Sequence, residues 1–99
     1  MKKILVIDES PLFLDYMTKK LQENGFEVIL GKNGLDGSVK LRAEMPDLVI
    51  MDYFLSRKSS LELLEEKKAN PNVARIPVIM AANKIDKSNV VQYAKFGVK

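Results

Sequence analysis

Ile4-Leu5-Val6-Ile7-Asp8-Glu9-Ser10-Pro11 is the stretch that decides how this chain is read. Four apolar residues without alternation, three of them β-branched, describe a strand buried on both faces, as in a parallel sheet. Two carboxylates end the run. Ser10 then supplies a helix N-cap and Pro11 stands where the first helical N–H has no partner to lose. Pro46-Asp47-Leu48-Val49-Ile50-Met51-Asp52 repeats the first half of the pattern: a breaker, an apolar run, and an acid at its carboxyl end.

Between and beyond these two runs, strand-like and helix-like spacing alternate. Leu14, Met17 and Leu21 give the first helix an inner face, and Asn24-Gly25 stops it. A second strand is expected over 26–30, a turn over 31–34, and a helix over 35–45 that Gly37 weakens. Ser59-Ser60-Leu61-Glu62 has the spacing of a capping box, opening a helix to about Ala69 with Leu61 and Leu64 on its inner face. Asn70-Pro71 ends it, a fourth strand is expected over 76–81, and Asp86 or Ser88 caps a last helix ending near Gly97. Strand-helix alternation of this kind is the sign of βαβ units around a parallel sheet, and no linker or longer repeat divides the chain, so residues 1–99 form one domain.

Composition narrows the chemistry. The 99 residues contain no Cys and no His, which removes zinc sites, thiol catalysis, disulfide scaffolds and every triad built on histidine. Sixteen basic against 13 acidic residues leave a net charge of +3, spread in pairs such as Lys2-Lys3 and Lys67-Lys68. That describes a solvated surface and no direct nucleic-acid contact. The longest apolar run, Val78-Ile79-Met80-Ala81-Ala82, is too short to span a bilayer. No membrane association is expected, and the location expected is cytoplasmic.

In an open parallel α/β sheet the functional crevice lies beyond the carboxyl ends of the strands. Asp8, Glu9 and Asp52 all stand there. If the first and third strands are neighbours, three carboxylates converge, and like-charge repulsion then calls for a cation. An all-oxygen donor set suits Mg²⁺, and a carboxylate facing a cation-bound phosphate is placed to attack phosphorus. Each acid taken singly is equally readable as a helix cap or a loop residue held by backbone N–H groups.

Together Lys3-Ile4-Leu5-Val6-Ile7-Asp8-Glu9-Ser10-Pro11, Pro46-Asp47-Leu48-Val49-Ile50-Met51-Asp52, Ile76-Pro77-Val78-Ile79-Met80 and Ala94-x-x-Gly97 resemble the receiver domains of two-component response regulators. The resemblance runs through the whole chain. It implies a flavodoxin-like, three-layer αβα sandwich whose parallel sheet has the order 2-1-3-4-5, with this chain supplying 2-1-3-4 and lacking the fifth strand and fifth helix. It assigns Asp8 and Glu9 to Mg²⁺, with glutamate where the family usually has aspartate. Asp52 becomes the phosphoacceptor and a further metal ligand, and a backbone contact to the metal falls on the carbonyl of Phe54.

The sequence departs from the family in three places. The hydroxyl residue that contacts the phosphoryl group aligns with Ala82, leaving Asn83 as the residue whose N–H or side chain supplies a phosphoryl contact. The usual proline and glycine after the acceptor fall on Ser56 and Ser60, so the loop should differ in shape. The sequence stops at Lys99, short of the family's lysine beside the phosphoryl group, and Lys99 does not align with it, while Lys84 reads as a surface residue opening a loop. A fourth strand left at the sheet edge implies a fragment, or an edge-paired or strand-exchanged oligomer.

The expected function is acceptance of a phosphoryl group on Asp52 from a sensor histidine kinase or phosphotransfer protein, with the signal passed to an output domain or effector protein. The chain is then a switch and not an enzyme. The alternative is a pseudo-receiver that binds partners whatever its phosphorylation state. A Mg²⁺-dependent phosphohydrolase is disfavoured because Phe54 stands where an acid-base residue is needed. Flavin binding is disfavoured by the acidic loop after the first strand.

Overall fold

The computed structural model describes residues 1–81. The expected last helix, Ala82, Asn83 and Lys84 lie outside the described residues. Among those described, the order is β1 (Lys3–Ile7), α1 (Pro11–Glu23), β2 (Glu27–Gly31), α2 (Gly34–Glu44), β3 (Leu48–Asp52), α3 (Ser60–Ala69) and β4 (Val78–Ala81). The strands form one parallel sheet in the order β2-β1-β3-β4, as expected.

The apolar runs explain the layers. Successive strand residues face opposite sides. Ile4 and Val6 of β1, with Leu48 and Ile50 of β3, pack against Leu14, Met17 and Leu21 of α1. Leu5 and Ile7, with Val49 and Met51, pack on the other side against Leu41 of α2, Leu63 of α3 and Val73. β1 is therefore covered on both faces, and each of its fully buried branched side chains contributes on the order of 1.5–3 kcal/mol.

The helix starts follow local chemistry. Ser10 accepts from the Phe13 N–H (3.3 Å), with Pro11 as the first helical residue. Asn33 caps α2 by accepting from the Asp36 N–H (2.8 Å), and Ser59 and Glu62 form the expected capping box. Asn24 closes α1, and Gly25 follows at φ +85°, an angle at which glycine escapes the Cβ penalty.

Several expectations change. α2 begins at Gly34, one residue early, because Asn33 provides the cap. Gly37 is a packing requirement: a Cβ there would lie 2.6–2.9 Å from the Ile7 side chain, so glycine lets α2 sit close on β1. β2 is shifted by one residue, and β4 starts at Val78 because the Ile76 N–H is held by the Val73 carbonyl in the preceding turn (3.1 Å). The inner face of α3 is Ser60, Leu63 and Lys67, while Leu61 is 58% exposed. The cap at Ser59 sets that phase by turning Ser60 inward, where its hydroxyl donates to the Tyr53 carbonyl (2.7 Å).

Candidate functional site

The register builds the site. Ile7 pairs with Met51, so Asp8 and Asp52 follow at the same level on adjacent strands, with backbones about 4.8 Å apart. Asp8 is 1% exposed; its N–H donates to the Gly31 carbonyl (3.0 Å), and its Oδ1 accepts from the Ser10 N–H (2.8 Å). This second bond bends the chain into α1 immediately after the strand. Asp52 is half-buried at the end of β3, opposite Ala81 of β4. Its Oδ1 accepts from the Phe54 N–H (3.3 Å), which folds the following loop back over the strand end.

Glu9 goes elsewhere. Its Oε2 accepts the N–H of Ser56, 47 residues away. Bonds from the Ser56 backbone, and then from its hydroxyl, hold the Glu9 carboxyl below the usual glutamate value. The expected convergence is thus incomplete: Asp8 and Asp52 share the sheet edge, Glu9 lies against the β3–α3 loop, and among the described residues no three acidic groups form a set that would hold a metal.

The loop carries two exposed rings. Phe54 is 68% exposed, and its ring meets that of Tyr53 edge-on, with centroids 5.1 Å apart. Two residues beyond Leu55, Arg57 adopts φ 68°, a left-handed angle that costs a side-chain-bearing residue roughly 1–2 kcal/mol. The Lys58 N–H closes the turn around it on the Ser56 carbonyl (2.8 Å), and longer-range contacts hold the loop in place. Besides the Glu9 bond, the Ser56 carbonyl accepts from the Gly34 N–H (3.0 Å), and the Lys58 ammonium reaches Glu66 and, at 3.4 Å, the Ser38 hydroxyl.

Asp8, Glu9, Asp52 and the Phe54 carbonyl offer only oxygen. Carboxylates at adjacent strand ends beside an open loop fit the donor preference of a hard divalent cation. Asn83 lies outside the described residues. Ser56 was marked in the sequence only as a loop departure; the signal for its role is that serine has the N–H that the usual proline lacks.

The response regulator receiver domain family matches residues 4–99. PilH of Pseudomonas aeruginosa is 28% identical over 99 residues, spanning 100% of this chain and 82% of that protein. The N-terminal domain of a response regulator receiver protein from Methanoculleus marisnigri JR1 superposes with a TM-score of 0.76 at 28% identity, covering 100% of this chain and 80% of that one. The Mn²⁺-bound form of response regulator Rcp1 gives 0.73 at 27% identity, covering 95% and 75%.

Proposed function

The chain belongs to the response regulator receiver family, and we propose that it accepts a phosphoryl group on Asp52 from the phosphohistidine of a sensor kinase or phosphotransfer protein. The observation that carries the reading is the β1–β3 register, which sets Asp8 beside Asp52 on the carboxyl edge of the sheet. A carboxylate oxygen of Asp52 attacks phosphorus, the phosphorus–nitrogen bond breaks, and the departing imidazole takes up a proton. A divalent cation, Mg²⁺ in the cell, would be held by Asp8, Glu9, Asp52 and the Phe54 carbonyl, and supplies charge neutralisation for the transferring group. The Mn²⁺-bound state of the related Rcp1 supports a cation of this class.

The chain's own residues do the positioning. Asp8 is fixed by the Ser10 N–H, and the Phe54 N–H orients the Asp52 carboxylate at the strand end. With a single turnover per phosphoryl group, the domain acts as a switch and not as an enzyme, and it passes its state to an output domain or effector protein. No described helix is long and apolar enough to cross a membrane, and a cytoplasmic location fits the kinase partner. Intact-mass measurement after incubation with a small-molecule phosphodonor and Mg²⁺ tests the proposal. The parent gains one phosphoryl group and Asp52→Asn none; labelling of both, or of neither, removes Asp52 as acceptor.

A further inference from the structure

Resting on the cation reading above, we propose that Glu9 is a positioning residue that exchanges between two partners, the Ser56 N–H and the bound cation. Cation binding then releases the β3–α3 loop from the start of α1 and loosens its hold on α2. Three observations carry this. First, Glu9 accepts from Ser56 across 47 residues, and in that position it joins no metal-holding set among the described residues. A cation between Asp8 and Asp52 competes with the Ser56 N–H for this carboxylate.

Second, Ser56 is tied on both sides, since its carbonyl accepts from the N–H of Gly34, the first residue of α2 (3.0 Å). Gly34 is itself pressed on the loop, so closely that a Cβ there would lie 1.7 Å from the Lys58 carbonyl oxygen. Lys58 continues the connection through its ammonium to Glu66 on α3 and to Ser38 on α2. The loop is therefore clamped by Glu9, by α2 and by α3, and letting go of one clamp is felt at the others.

Third, Arg57 sits at φ 68° in a tight turn that the Lys58 N–H closes on the Ser56 carbonyl (2.8 Å), so the residue tied to Glu9 also anchors a strained turn. Arg57 also lines an open groove of about 350 Å³ with Asn33, Leu35, Asp36 and Val39 of the α2 end. Occupancy of the site at the sheet edge thus reaches the outer surface of α2 through the Glu9 carboxylate, the Ser56 backbone and the Gly34 N–H.

The test is amide hydrogen exchange by NMR on the full chain, with and without Mg²⁺, with Mn²⁺ water-proton relaxation reporting cation binding separately. In the cation-free protein the Ser56 and Gly34 amides are protected, and Mg²⁺ speeds their exchange about three- to tenfold, the worth of one partly solvated charge-assisted bond. Glu9→Asp keeps a carboxylate for the cation but is one methylene too short for Ser56. It binds Mn²⁺, its two amides exchange at the fast rate from the start, and Mg²⁺ adds nothing. If Glu9→Asp without cation is as protected as the parent, the Glu9 clamp is wrong. If the parent binds Mn²⁺ with no change at Ser56 and Gly34, the exchange of partners is overturned while the cation site stands. If neither protein binds Mn²⁺, the cation reading falls and the exchange falls with it.

Discussion

Gly34→Ala probes the closest backbone approach among the described glycines. A Cβ on Gly34 would lie 1.7 Å from the Lys58 carbonyl oxygen, 2.7 Å from its carbon and 3.1 Å from its side chain. The oxygen must retreat by more than an ångström, and it belongs to backbone with no rotamer to absorb the move. The Gly34 N–H to Ser56 carbonyl bond (3.0 Å) is broken or stretched in the process. Overpacking of this kind costs about 1–3 kcal/mol, and a lost hydrogen bond about 1 kcal/mol. Against these, alanine at a helix start gains at most about 1 kcal/mol over glycine. The net destabilisation is about 2 kcal/mol, a fall in Tm of about 8–16 °C for a domain of this size. Thermal unfolding followed by circular dichroism reads it directly. Gly25→Ala is the control, since nothing lies within 4 Å of its Cβ and only the angle of +85° opposes it, at about 1 kcal/mol. A Gly34→Ala protein as stable as the parent would refute the loop-on-helix packing from which the coupling was argued.

Further outcomes follow from the same contacts. Ser59→Ala removes half of the capping box and should cost about 1 kcal/mol, or 4–8 °C in Tm. Lys67 is 8% exposed, donates to the Ala74 carbonyl (2.8 Å), and its amine is held below the usual lysine value by desolvation. The unfolded chain then binds more protons between that lowered value and the ordinary 10.5, so stability rises with pH through the window; urea titrations should show the rise in the parent and not in Lys67→Met. Glu9, Asp36 and Glu66 are all held below their ordinary values, by the Ser56 N–H, the Lys32 N–H and the Lys58 ammonium respectively. Their contribution is complete above the unfolded carboxyl range and is lost as pH falls through the lower folded values, so Glu66→Gln should flatten the acid limb of a urea titration, by under about 1 kcal/mol because the pair is solvated.

The fold was legible where residues speak through burial on both faces. Ile4 to Ile7 and Leu48 to Met51 admit no other reading, and the acids after them mark the carboxyl edge. Helix phase was less legible: Leu64 packs partly buried against the core as expected, but Leu61 is exposed and the cap at Ser59 turns Ser60, Leu63 and Lys67 inward. A lysine in a charged run gives no sign that it will be buried. Gly37 reads as a weak point until Ile7 is seen to fill the space a Cβ would need. In the site, Asp8 and Asp52 were readable because strand register brings them together. The destination of Glu9 was not, because its partner is a backbone N–H delivered by a loop whose shape depends on Gly34, Lys58 and Glu66 at once.

The most direct test of the central claim is the intact mass of the chain after exposure to a phosphodonor with Mg²⁺, set beside Asp52→Asn and a sample from which divalent cations have been removed. The account predicts one added phosphoryl group on the parent with Mg²⁺, and none on the variant or without the cation. Equal labelling of parent and Asp52→Asn, or labelling indifferent to the cation, would contradict it.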